Sequence, residues 1–111
     1  AALEPYTVGD LKVYSGRFAA DRKTLTERAE AIKSSGGVAA FVSVSDTVSV
    51  LLASGDPRVD CRKILPEVLK EFGGRGGGKT DFAQGGIEDV DKADRLLESL
   101  KDAVSRAIKL N

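Results

Sequence analysis

Residues 73–80 read Gly-Gly-Arg-Gly-Gly-Gly-Lys-Thr. Letter for letter this is the G-x-x-x-x-G-K-[ST] pattern whose backbone N–H groups and lysine hold nucleotide phosphates in NTPases. Such a loop works by joining a buried strand to a helix, because the helix N-terminus then faces the anion. Here neither flank fits. The stretch before it, Val59 to Phe72, places Cys61, Ile64, Leu65, Val68, Leu69 and Phe72 on one side and reads as an amphipathic helix. The stretch after it, Asp81-Phe82-Ala83-Gln84-Gly85-Gly86, has two glycines where a helix should start. The context therefore excludes a P-loop fold and leaves a glycine-rich loop between two helices.

Outward from the loop the elements fall into a definite order. Pro66 conflicts with its helix, since proline removes a hydrogen bond and clashes with the preceding turn, so a kink or a fresh helix start is expected there. Upstream, the apolar runs Val38–Val44 and Val48–Ala53 are valine-rich, short, and separated by Ser45-Asp46-Thr47. They read as a β-hairpin, and their near-continuous apolar character suggests burial on both faces. Before them, Leu25, Ala29 and Ile32 form one apolar stripe on a charged helix capped by Asp21 or Thr24, and Thr24 with Glu27 has capping-box spacing. Ser34-Ser35-Gly36-Gly37 ends that helix. Leu11, Val13 and Tyr14 open a strand ending near Gly16. The last helix is the clearest, with Val90, Ala93, Leu97, Leu100, Val104, Ala107 and Ile108 at three- and four-residue spacing after Asp89 as N-cap.

These elements predict an α/β (α+β) two-layer sandwich: a small mixed sheet including a β-hairpin, about three helices and an exposed glycine-rich loop. Residues 1–9 lack periodicity and read as a linker from an upstream domain, with one globular domain over residues 10–111. No methionine stands at position 1 or elsewhere, so the chain reads as a piece of a longer protein.

Composition excludes several chemistries. The 111 residues carry 17 basic and 17 acidic side chains and no histidine, which removes Ser-His-Asp and Cys-His nucleophile systems and the usual zinc sites. Cys61 is the one cysteine, so no disulfide can form within the chain, and it reads as a small core residue in a reducing compartment. The longest unbroken apolar run, Val38–Val42, is far too short to span a membrane. Asp46, Asp56 and Asp60 are better explained by separate turn and cap roles than by a carboxylate cluster. Tyr6, Tyr14 and Phe18 offer rings for base stacking, although packing explains them better.

The neutral total conceals a basic centre. Residues 58–79 hold six basic against three acidic side chains, and Arg75 and Lys79 stand in the glycine run without an acidic neighbour. Glycines let successive backbone N–H groups converge into an anion-binding nest, with long basic side chains at its rim. Gly85-Gly86 gives a second place of close backbone approach. The candidate phosphate-binding or nucleic-acid-binding residues are thus Gly74, Arg75, Gly76, Gly77, Gly78, Lys79, Gln84 and Gly85.

Gly73-Gly74-Arg75-Gly76-Gly77-Gly78-Lys79 followed by Phe82-Ala83-Gln84-Gly85-Gly86 resembles the signature of the C-terminal domain of alanyl-tRNA synthetases. Long free-standing alanyl-tRNA editing proteins share that domain, as do DHH-type phosphoesterases in diverged form. The resemblance covers residues 9–110. It implies a cytoplasmic, non-catalytic accessory domain that helps hold tRNA(Ala) for aminoacylation and editing. ATP with magnesium and zinc would then belong to other domains of the parent, with dimerisation through helices further upstream. The alternatives are the C-terminal domain of an editing hydrolase and the substrate-binding domain of a phosphoesterase. The phosphoesterase branch carries a histidine after its glycine run, where this chain has Lys79.

Overall fold

A computed structural model describes residues 5–110. Among them a six-stranded sheet runs in the order β1-β2-β3-β4-β6-β5. The strands are β1 (Tyr6–Val8), β2 (Leu11–Phe18), β3 (Val38–Val44), β4 (Val48–Ser54), β5 (Arg75–Lys79) and β6 (Phe82–Ile87). Three helices accompany them: α1 (Arg22–Ser34), α2 (Cys61–Glu71) and α3 (Ala93–Leu110), the last entered through a single 3₁₀ turn at Val90–Lys92. β2 and β3 are parallel and every other pair is antiparallel, so the sheet is mixed as expected.

The hairpin at the centre explains the layering. Alternate residues of a strand point to opposite faces. Val38, Ala40 and Val42 join a core under α2 and α3, while Ala39 and Phe41 join a second core under α1. Both faces of β3 and β4 are therefore apolar, and both are covered. The mixed α+β sandwich accordingly has three layers where two were expected. α1 packs over β3 and β4 on one face, and α2 lies under β5 and β6 on the other.

The helix ends follow the cap chemistry. Asp21 accepts the Thr24 N–H at 2.8 Å, Asp60 accepts the Arg62 N–H at 3.1 Å, and Asp89 accepts the Asp91 N–H at 3.0 Å. α2 runs unbroken through Pro66. The missing proline N–H would have served the carbonyl of Arg62, and Arg62 is exposed, so solvent can take that role. No fresh helix start is needed.

Two expectations are overturned. Tyr6–Val8, placed in the lead-in, form β1, with Val8 buried against the core. Gly9-Asp10 closes the two-residue turn between β1 and β2, and Gly9 sits at φ 63, which a glycine accepts without steric cost. The glycine run is the second. Arg75–Lys79 is not a loop but an extended strand at the sheet edge, all five residues exposed, paired along its length with β6. An extended strand points successive N–H groups to alternate sides, so the backbone forms no converging anion nest there.

Candidate functional site

Strand pairing sorts seven of the eight candidate residues onto two faces. Directly opposed residues of an antiparallel pair share a face. Gly76 opposes Gly85 and Gly78 opposes Ala83 on the side of α2. Arg75 opposes Gly86, Gly77 opposes Gln84 and Lys79 opposes Phe82 on the side of α1. The structure thus brings Arg75, Gly77, Lys79 and Gln84 together and places Gly76, Gly78 and Gly85 behind them. Gly74 precedes the strand, where a side chain would press on Ile87 Cγ2 at 2.5 Å.

The two glycine sets are glycine for different reasons. A Cβ on Gly76 would stand 2.6 Å from Leu69 Cδ1 of α2, and one on Gly85 would stand 2.6 Å from Leu69 Cδ1 and from Gly76 Cα. These glycines let α2 seat directly on the hairpin. Gly77 differs: a Cβ there meets nothing within 4 Å, and its φ is not positive. Neither packing nor backbone strain accounts for it.

Because α1 packs mainly over β3 and β4 and reaches β6 at Phe82, the same face over β5 and the rest of β6 is left open. The result is a ledge, with α1 as a wall and two strands as its floor. At one end a groove of ≈ 690 Å³ includes Arg22, Ser49, Arg75 and Gly86 in its lining. At the other, a hollow of ≈ 330 Å³ is lined by Lys33, Gly77, Lys79, Asp81 and Gln84 among others. Lys33 is committed there: its Nζ lies 2.9 Å from Asp81 Oδ2 and 3.5 Å from Glu30 Oε2. Lys33 in turn holds the Asp81 carboxyl below its ordinary range. Among the described residues, Arg22, Arg75 and Lys79 form no ion pair. Three cations unneutralised by contact border a floor that carries little side chain. Such an arrangement suits a polyanion with extended contact more than a small enclosed ligand.

The remaining candidates take structural roles. Asp56 accepts from Arg58 Nε and Nη2, each at 2.9 Å, and Arg58 also reaches Asp10, so the carboxyls of Asp56 and Asp10 are both held low by that guanidinium. Asp60 is spent on its cap. Among the described residues no group of three His, Cys, Asp or Glu is placed to hold a metal ion. Cys61 is fully buried, and burial pushes its thiol up to about 12. Tyr14 and Phe18 pack against the α1-side core, with Phe18 edge-on to Phe41 at 5.2 Å between ring centres. Tyr6 packs on the other side, where Lys101 Nζ lies 5.2 Å from its ring centre. None of the three rings faces the ledge.

Residues that the sequence reading missed are Arg22 and Ser49. Ser49 lies across from Gly86 on the floor, and Arg22 begins the wall. The legible signal for Arg22 was electrostatic: the first turn of α1 holds no acidic residue, although the helix macrodipole favours one there.

Gly73–Thr80 leads from a helix into a strand, and the next element is the strand β6 and not a helix, so the NTPase geometry is absent. The DHHA1 domain family matches residues 7–106. The chain is 33% identical over 108 residues to an alanine–tRNA ligase of Methanoregula boonei and 34% identical over 106 residues to one of Methanoculleus marisnigri. These matches cover 97% and 96% of this chain but only 12% of each ligase. Among solved structures, the C-Ala domain of Aquifex aeolicus alanyl-tRNA synthetase superposes with a TM-score of 0.79 at 26% identity, over 93% of this chain and 99% of that one. The DHH domain of a member of a ribosomal-protein family shares the fold at 11% identity, with a TM-score of 0.66 over 94% of this chain and 28% of that one. No helix among the described residues is long and apolar enough to cross a membrane. The chain belongs to the DHHA1 domain family, and in sequence and fold it matches the C-Ala domain of alanyl-tRNA synthetase.

Proposed function

We propose that this domain binds tRNA(Ala) through the open sheet face, as an accessory to aminoacylation and to the editing of mischarged tRNA by a longer parent enzyme. In this reading the domain performs no chemistry itself. ATP with magnesium and zinc are handled by other domains of the cytoplasmic parent, and any dimer forms through segments outside the domain.

The observation that carries the reading is Gly77. Charged residues on an edge strand also discourage strand-to-strand aggregation, which by itself accounts for Arg75 and Lys79. That explanation leaves Gly77 untouched. A bare backbone between two free cations, with the Gln84 amide opposite, lets a sugar–phosphate chain lie against the strand while the cations meet phosphates. Recognition of folded RNA rests largely on such phosphate and shape contacts.

The test is the affinity of the 111-residue chain for folded tRNA(Ala) and for an unstructured RNA of equal length across a salt series. Binding should be weak, salt-dependent and stronger for tRNA. The variant R75A/K79A should weaken it and flatten the log-affinity slope by one to two units, about 0.7–0.9 per lost phosphate contact. Parental binding by that double variant at every salt concentration would sink the proposal.

A further inference from the structure

We infer that Arg22 of α1 is a phosphate-contacting residue of the same interface, so that one RNA strand is held between Arg22 on the helix wall and Arg75 on the sheet edge. The inference rests on the binding proposed above, and it adds a second element, remote in sequence, to a site otherwise confined to residues 74–85.

Three observations converge. Arg22 and Arg75 line one groove from opposite sides, and its floor between them is Ser49 and Gly86. The cross-strand row Ser43, Ser49, Gly86, Arg75 runs across the sheet on this face. Ser43 is tied to the Ala20 carbonyl at 2.8 Å, just before the wall begins, while Ser49 and Gly86 leave the floor shallow. The acidic residues of the groove, Glu88 and Asp89, stand beyond the end of β6, and Asp89 is engaged in its cap.

Second, the position of Arg22 is unfavourable for the fold. Residues Arg22 and Lys23 put two cations in a helical turn where the macrodipole disfavours positive charge, and the carboxylate at that end, Asp21, is engaged with the Thr24 N–H as the cap. Among the described residues Arg22 gains no ion pair in return. A local rule broken without an internal gain is expected where function imposes the residue. Third, the width of the ledge limits the ligand. Adjacent strands lie about 4.8 Å apart, so the floor from β4 to β5 is about 10 Å across. Between the α1 wall and the sheet edge that admits a single sugar–phosphate strand but not the full width of a duplex.

Arg22→Ala separates this from a structural role, because the two predict opposite movements. In the 111-residue chain, affinity for tRNA(Ala) should fall and the salt slope should flatten by about 0.7–0.9, one phosphate contact. The melting temperature should stay level or rise, as a cation leaves the dipole's positive end. Lys23→Ala, one residue further around the helix and outside the groove, should relieve the same turn yet leave the slope unchanged. If Arg22→Ala keeps the parental slope while R75A/K79A flattens it, the inference fails and the tRNA interface stands. If Lys23→Ala flattens the slope as much as Arg22→Ala, general charge is responsible and the inference fails. If R75A/K79A also binds as the parent does, the interface itself is refuted, and Arg22 with it.

Discussion

Two hairpins of this sheet share a connectivity and differ in nearly everything else. β3–β4 is apolar on both faces, valine-rich toward α2 and α3 and with Phe41, Leu51 and two alanines toward α1, and those side chains are the cores against which the helices are packed. β5–β6 carries five glycines within its strands and receives α2 through the absence of side chains on one face. On its other face α1 is met only at one end, where Phe82 packs against the α1-side core and Lys33 bonds Asp81. The contrast shows that a sheet can hold a helix by filling space or by vacating it. Only the second mode leaves a bare backbone, and only there does a bare surface remain where no helix needs it.

The contrast breaks most visibly at the filled hairpin. Phe41 is fully buried in the α1-side core and edge-on to Phe18. Phe41→Ala should cost about 3–5 kcal/mol, the usual range for deleting a buried aromatic, because the covered sheet cannot collapse into the cavity. Denaturant titration measures it. A loss under about 1 kcal/mol would mean that α1 is only loosely docked, and the ledge would lose its wall.

The vacated face gives the next largest effect. Gly85→Ala adds one methyl, 2.6 Å from Gly76 Cα and 2.6 Å from Leu69 Cδ1. Leu69 can swing aside, but the opposing backbone cannot, so the hairpin or α2 must shift. Overpacking of this kind costs about 1–3 kcal/mol. The ordinary effect of replacing glycine by alanine in a strand is a gain of about 0.5–1 kcal/mol, so a stabilised Gly85→Ala would refute the close seating of α2.

How much of this was legible depends on whether the residues speak locally. Val38–Val44 and Val48–Ala53 announced strands through β-branched content, and Asp21, Asp60 and Asp89 announced helix starts through their own hydrogen-bonding chemistry. Arg-Gly-Gly-Gly-Lys announces nothing of the kind. It has no alternation and no propensity, and it is a strand only because β6 pairs with it and α2 sits close behind. Tyr6-Thr7-Val8 was hidden by brevity, although the Gly9-Asp10 pair after it is a turn signal. At the site, the basic side chains Arg75 and Lys79 could be read from sequence, but the division of the glycines between two faces could not. That division needs the register, which sets Gly76 against Gly85 and Gly77 against Gln84.

Gly77→Ala has the smallest expected effect on stability. The substitution is chemically identical to Gly85→Ala and lies in the neighbouring strand, yet its methyl enters open space on the uncovered face. Without a positive φ there is no backbone strain to add. Stability should therefore rise by about 0.5–1 kcal/mol, the ordinary gain for alanine over glycine in a strand, as the unfolded chain loses freedom. Affinity for tRNA should nevertheless fall, and Gly77→Val should lower it further, since the larger side chain lifts the RNA from the strand while β-branching suits an extended backbone. Unlike R75A/K79A, these variants remove no charge, so the salt slope should stay close to parental while affinity drops at every salt concentration. Should Gly77→Val bind tRNA as the parent does, the RNA does not touch this strand's backbone. Arg75 and Lys79 would then act at a distance from it, and the glycine would lose the only role that its surroundings leave for it.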